Sequence, residues 1–265
     1  MCIRDSKNYD KAAFMTAARL GEVTGVSEST VVRFAADLGY RGYPGMKKAL
    51  QEIVRNRLTS VERIEAAEST MDGHDVLKAV LRADINNLQA TLDEIDQDYF
   101  NQAVDMILSA KHIYIIGMRT STTLADFLAT YLKLLLDNVT VVKEIAAREV
   151  YEQLLRIGKG DLIIGISFPR YSKRTISAMK FARDHGARCL GLTDGKVSPL
   201  NEISDVCLYT KSEMVSFLDS LVAPLSMINA LIMAVSARDR ARTFETFREL
   251  ENVWKEYEVY GTVES

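Results

Sequence analysis

Cysteine, histidine and proline are all scarce in this chain. The three cysteines (Cys2, Cys189 and Cys207) form no C-x-x-C pair and share no metal-ligand spacing with the three histidines. A zinc site or a disulfide framework is therefore not expected, no cofactor is called for, and a reducing cytoplasm is the simplest compartment. Cys189 and Cys207 sit in apolar, strand-like runs and read as buried thiols. No apolar run approaches the roughly 18 residues of a membrane helix. The nearest, Ser216–Val235, is interrupted by Asp219, Pro224 and Asn229. Residues 1–10 are polar and charged and do not have the pattern of a signal peptide. Internal repeats and low-complexity segments are absent as well.

What is present is ordinary in bulk and uneven in detail. The 265 residues are 48% hydrophobic and 26% charged, as in globular chains of one to two domains. The net charge of −3 argues against nucleic acid as a partner for the whole surface. Residues 1–60, however, carry ten basic and six acidic residues, a net of +4, which leaves −7 for the remainder. Such asymmetry marks the N-terminal part as the one suited to an anion such as DNA.

Thr16–Val23 reads as a helix with Ala17, Ala18, Leu20 and Val23 inward. Gly25 then supplies the positive φ of a tight inter-helix turn. Ser27 is a good N-cap for a second helix, Ser27–Leu38, which Gly39 ends. Val31, Phe34, Ala35 and Leu38 are expected to face the core, and Glu28, Ser29, Thr30 and Arg33 to point outward. This is the layout of a recognition helix whose first turns reach base edges in the major groove. Arg33 suits guanine through a bidentate pair, and Ser29 and Thr30 suit either base type. Arg41, Lys47, Lys48 and the N–H groups at helix starts are placed to hold phosphates. Pro44 fits the first turn of a third helix.

The run Gly25-Val26-Ser27-Glu28-Ser29-Thr30-Val31-Val32-Arg33-Phe34, followed by Leu38-Gly39-Tyr40-Arg41-Gly42-Tyr43, resembles the DNA-binding domain of RpiR-type transcriptional regulators. That family shows G-V-S-x-x-T-[IV]-x-R-F and then L-G-[FY]-x-G-[FY]. The family also has a full helix upstream. Only about fifteen residues precede Thr16 here, and Met1–Asp10 has poor helical periodicity, which leaves two readings of the start: a truncated first helix, or a non-native leader.

Residues 58–75 are polar and Gly-broken and read as a linker. Val76, Leu77, Val80, Leu81, Ile85, Leu88 and Leu92 then follow a helical period, and a second helix is expected over Tyr99–Ser109. Beyond it, strands and helices alternate. Strands are expected at Ile113–Ile116, Val139–Val142, Leu162–Ser167, Cys189–Leu192 and Val206–Tyr209. Helices are expected at Leu124–Leu136, Ala146–Arg156, Thr175–His185, Ser220–Ala237 and about Arg242–Tyr257. Alternation of this kind implies right-handed crossovers and a parallel sheet covered on both faces.

Two loops each follow a strand and open a helix. The first is Gly117-Met118-Arg119-Thr120-Ser121, with Thr122 adding a hydroxyl. The second is Ser167-Phe168-Pro169-Arg170-Tyr171-Ser172-Lys173-Arg174-Thr175. Both lie at strand C-terminal ends, where open α/β sheets bind ligands. Helix-start N–H groups favour an anion there. Arg119 and Arg170 are suited to clamp it, with Thr120, Ser121, Ser167, Ser172 and Thr175 around them. Thr193-Asp194-Gly195, with Ser198-Pro199, lies at the same edge.

The order of these elements over roughly Asp105–Ala237 resembles the SIS domain of phosphosugar isomerases and RpiR-type regulators. The second and third loops and Ser216-Phe217-Leu218-Asp219-Ser220-Leu221 carry that resemblance with the first-strand loop. It implies a five-stranded parallel sheet flanked by helices, a phosphosugar effector, and dimers or tetramers. The SIS phosphate loop usually runs Ser-x-Ser-Gly-x-Thr. Here Pro169 and Arg170 replace its second Ser and its Gly, and Ser172 replaces its Thr. Arg119 likewise takes the second glycine of the usual Gly-x-Gly-x-Ser first loop.

The expected organisation is a helix-turn-helix domain over 1–60, a linker and connecting helix over 61–100, an α/β SIS domain over 101–240, and a C-terminal helix and tail over 241–265. The expected function is a transcriptional regulator of carbohydrate metabolism that binds an operator and an anionic sugar, with no membrane partner. The alternative is a phosphosugar isomerase with a helical appendage, for which Glu144 and Glu149 are the candidate bases. His112 and His185 read as structural. A third reading is a sensor that binds a partner protein in place of DNA.

Overall fold

The computed structural model describes residues 12–13, 15–55, 61–62, 64, 75–143, 147–213 and 218–260. They divide into two compact units, a smaller one reaching to Val80 that also takes in Leu218 and Asp219, and a larger one of Leu81–Glu213 with the residues from Ser220 on. The readings for Met1–Asp10, for most of the linker, and for Glu144, Ser216 and Phe217 lie outside the described residues, as does the side chain of Lys48.

In the N-terminal unit three helices follow one another: α1 (Ala17–Thr24), α2 (Glu28–Asp37) and α3 (Gly42–Arg55). Thr16 caps α1 by accepting from the Arg19 N–H at 3.2 Å, and Ser27 caps α2 by accepting from the Thr30 N–H at 3.2 Å. Gly39, at φ +85°, ends α2 in a Schellman turn. Its N–H reaches the Ala36 carbonyl at 2.9 Å, and the Tyr40 N–H reaches Ala35 at 3.1 Å. The buried cluster is Val31, Ala35, Tyr43 and Met46, with Ala17, Leu20 and Leu50 against it.

The inward face is narrower than the sequence suggests. Phe34 is 41% exposed and Leu38 55% exposed, while Val31 and Ala35 are buried. Val23 and Ala18 on α1 are exposed as well. The reason is geometric: α2 packs between α1 and α3, and three short helices enclose only an i, i+4 stripe of the central one.

The larger unit begins with α4 (Val76–Glu94, inside it from Leu81) and α5 (Gln97–Ser109). The order is then β1 (Ile113–Gly117), α6 (Ser121–Leu135), β2 (Val139–Val141), α7 (Ala147–Gln153), β3 (Leu162–Ile166), α8 (Lys173–Asp184), β4 (Arg188–Thr193), β5 (Val206–Tyr209), α9 (Val222–Arg238) and α10 (Arg240–Glu256). The five strands are parallel, in the order β2-β1-β3-β4-β5. Their near-continuous apolar runs follow from burial on both faces. Period-2 alternation sends Ile113, Ile115, Leu162, Ile164 and Leu190 into a core shared with α5, α6 and α9. Tyr114, Ile116, Ile163 and Cys189 face the opposite core, shared with α7 and α8. There the Cys189 thiol is pushed up to about 12, chiefly by burial, with the Asp205 carboxylate adding to it. It stays protonated and unreactive at neutral pH. Burial raises Cys207 too.

Helix α4 is built inside out. Asn87 is 2% exposed, and Thr91 is buried beside it. The Asn87 amide donates to the Glu213 carbonyl at 3.0 Å and accepts from the Glu213 N–H at 3.0 Å. The Thr91 hydroxyl accepts from the Lys211 N–H at 2.9 Å. Lys211 pairs with Glu94 at 2.6 Å, and the Ser220 hydroxyl donates to Asp84 at 2.5 Å. A polar seam thus fastens α4 to the segment after β5, and the apolar periodicity of the helix is left on the other side. Replacing Asn87 with Ala strips two partners from the Glu213 backbone. We expect Asn87→Ala to lower stability by about 1–3 kcal/mol, read as the shift in the urea midpoint at constant slope.

Candidate functional site

The switch point of the sheet lies between β1 and β3. Neighbouring strands there send their connections to opposite faces, to α6 on one side and α8 on the other. A crevice opens between their C-terminal ends. The two loops singled out from the sequence flank this crevice, and the loop after β4 adjoins it.

Residues 117–121 pack the strand end hard against the start of α6. A Cβ on Gly117 would lie 2.3 Å from the Ser121 carbonyl oxygen. Ser121 is buried, and the Thr122 hydroxyl donates to the Gly117 carbonyl at 2.9 Å, so Thr122 is already engaged. Thr120 and Arg119 are exposed, and the Thr120 side chain makes no capping bond. Residues 167–175 are tied internally. Buried Ser167 accepts from the Ser172 N–H at 3.2 Å, and Ser172 caps α8 by accepting from the Thr175 N–H at 3.4 Å. Thr175 is fully buried beneath the loop, and its hydroxyl has no partner.

The backbone at the two arginines is the sharpest feature of the site. Arg119 has φ +58° and Arg170 has φ +66°. The left-handed region costs a non-glycine residue about 1–3 kcal/mol. Among the described residues only Glu258 shares it without being glycine. Both arginines stand where the resemblance puts glycine. The glycine-type loop geometry is therefore kept, and a guanidinium is added at each turn. Both side chains are exposed.

Two contacts escaped the sequence reading. The Tyr171 hydroxyl donates to Asp194 at 2.8 Å, which joins the loop after β3 to the loop after β4. Thr193 bonds Ser198 at 2.7 Å within the latter loop. The signal was the position of Asp194 one residue past a strand end; its partner across the crevice was not readable.

Neither histidine lies at this edge of the sheet. His112 precedes β1 at the opposite edge of the sheet, with its Nε2 2.9 Å from the Thr140 hydroxyl. His185 ends α8, also at the far edge, with Nδ1 2.7 Å from the Phe181 carbonyl and its ring on Phe181. Glu149 is half-buried on α7.

In the N-terminal unit, Glu28, Ser29 and Arg33 are exposed along α2, and Thr30 is half-buried. The hydroxyls of Ser29 and Thr30 each lie 2.8 Å from the Ser27 hydroxyl, so three hydroxyls cluster at the helix start. Arg41 is exposed in the turn before α3, and Lys47 is half-buried on α3. Gly21, passed over in the sequence, is what lets the turn close. A Cβ there would meet the Val26 carbonyl oxygen at 2.7 Å, and the Val26 N–H bonds Gly21 at 2.9 Å.

A three-helix unit with this turn, joined to a parallel α/β sheet, defines the class: a helix-turn-helix transcriptional regulator with an α/β domain. Comparison with known proteins identifies the family. Residues 6–57 match the helix-turn-helix domain of the rpiR family, and residues 106–234 match the SIS domain. The sugar isomerase domain of an RpiR transcription factor from Sphaerobacter thermophilus is 30% identical with a TM-score of 0.64; the match covers 68% of this chain and 99% of that one. The regulator HexR of Pseudomonas aeruginosa is 28% identical over 243 residues, 88% of this chain and 81% of HexR. NanR of Vibrio vulnificus, solved in complex with ManNAc-6P, shares the fold at a TM-score of 0.63 and 22% identity, over 96% of this chain and 90% of NanR. The chain belongs to the RpiR family of transcriptional regulators.

Two substitutions separate packing from strain in these loops. Gly117→Ala is expected to cost at least about 2 kcal/mol, because its Cβ meets backbone. Arg170→Gly relieves the left-handed turn and is expected to leave stability unchanged or raise it by up to about 1 kcal/mol. Thermal unfolding of the two variants side by side checks both signs.

Proposed function

We propose that the chain regulates genes of carbohydrate metabolism by binding an operator through α2 and sensing a phosphosugar or related anionic sugar at the β1–β3 crevice. One observation carries the effector half: two arginines hold costly left-handed conformations on the two loops that flank the switch point. Fold stability alone favours glycine there, so a guanidinium is retained for what it binds. The starts of α6 and α8 add N–H groups for the same anion. In this reading Arg119, Thr120, Ser121, Ser167, Arg170, Ser172 and Thr175 form the sensing site within an α/β domain of about 101–240. NanR, whose structure holds ManNAc-6P, supports a sugar phosphate as the ligand class.

The operator half rests on the exposed face of α2. Ser27, Glu28, Ser29, Thr30 and Arg33 read base edges, and Arg41, Lys47 and Lys48 hold phosphates, within a DNA-binding domain of about 1–60. DNA as the target places the protein in the cytoplasm. The family membership weighs against the isomerase alternative.

The decisive experiment is operator binding at fixed salt, titrated with sugar 6-phosphates beginning with ManNAc-6P, against the unphosphorylated sugar and inorganic phosphate. We expect a sugar phosphate to shift operator affinity and the two controls to leave it unchanged. No shift with any sugar phosphate would sink the sensing role. Arg33→Ala is expected to weaken specific operator binding by about 1–3 kcal/mol and to relax the sequence preference at one position. Gel shifts on a mutated operator series read both effects. Arg170→Ala is expected to flatten the effector dose curve while operator affinity without effector stays at the wild-type value; an unaltered curve would remove Arg170 from the site.

A further inference from the structure

The outward face of α2 is not wholly polar. Helical geometry sets neighbouring side chains about 100° apart. With Val31 and Ala35 buried, Arg33 lies opposite them. Ser29, Ala36 and Val32 follow on one flank of Arg33, and Thr30 and Asp37 on the other. Val32 is 41% exposed, and Ala36 one turn on is exposed as well. The buried cluster of this unit leaves Val32 out, so its two methyl groups add little to the core. Local structure does not favour it either, since a β-branched residue is a weaker helix former than alanine. A lone apolar side chain on a surface is ordinary. What distinguishes Val32 is its place, one turn after Ser29 and beside Arg33.

Position and chemistry together name what it meets. Helix α2 opens at Glu28, so Val32 stands about 6 Å along it. That is the part of a recognition helix that reaches base edges. In the major groove those edges carry hydrogen-bonding groups, which a valine cannot answer, and one apolar group, the C5-methyl of thymine. A donor or acceptor held against Val32 would lose its water and gain no partner. A methyl group held there loses nothing and is itself removed from water. Ala36 is too small to screen Val32 from the base. We propose that Val32 is a specificity-determining residue that packs on the C5-methyl of a thymine in the operator. Base pairs stack about 3.4 Å apart, and consecutive Cα atoms lie about 3.8 Å apart. The thymine therefore falls within about two base pairs of the guanine that Arg33 pairs. This inference rests on the operator half of the proposed function and adds a second base to it.

Deoxyuridine differs from thymidine by that methyl alone, so the DNA can be altered and the protein left intact. A random duplex library is selected on the full wild-type chain to give an operator, and each thymine in it is then replaced singly by uracil. At one position, within two base pairs of a guanine whose preference relaxes in Arg33→Ala, uracil is expected to weaken wild-type binding about fourfold, as for one buried methyl-sized group. Val32→Ala is expected to bind the thymine operator about fourfold or more weakly and to bind the uracil operator equally well. Its salt dependence should match the wild type, because no phosphate contact is lost. Its circular dichroism should match too, since Val32 is uncovered. A wild type that tolerates uracil at every position, or a uracil penalty that persists in Val32→Ala, overturns this inference and leaves operator binding standing. So does a penalty abolished instead by Val26→Ala, whose side chain is exposed in the turn before α2. A library in which no sequence is enriched over non-specific binding overturns the operator reading, and this inference with it.

Discussion

The handedness of strand crossovers governs the larger unit. A right-handed connection after β1 delivers α6 to one face of the sheet, and the same rule after β3 delivers α8 to the other. The two departing chains leave a gap above the adjacent strand ends. The convergence of two helix starts and the adjacency of two loops fifty residues apart in sequence both follow. None of the loop residues creates the gap; they furnish a space that the topology makes.

This dependence explains what the sequence disclosed. Strand positions were legible because runs such as Ile113–Ile116 and Leu162–Ile166 are apolar on both faces, as only a doubly covered strand must be. The loops were legible because each begins where such a run stops. The left-handed backbone at Arg119 and Arg170 was not, since φ leaves no mark in composition. Its trace was an arginine standing twice where the resembled loops carry glycine.

The helical parts were legible in existence and less so in orientation. A 3.6-residue period reports that one face differs from the other; which face is buried depends on what lies beside it. In α2 the neighbours cover only Val31 and Ala35, so Phe34 and Leu38 stay outside. In α4 the segment after β5 presents unsatisfied backbone groups, and the helix meets them with Asn87 and Thr91 instead of its leucines. Backbone demand for partners outranks apolar burial at that contact. Gly21 is legible only in hindsight, because its role depends on a carbonyl five residues away.

The two left-handed arginines also bear on how such a regulator evolves. Arginine and glycine codons lie a single base change apart, and at these turns glycine is the easier residue to fold. Mutation and folding thus push both positions the same way. In descendants of this chain that stop using the ligand, both pressures favour a return to glycine at the two turns, well before the helix-turn-helix decays.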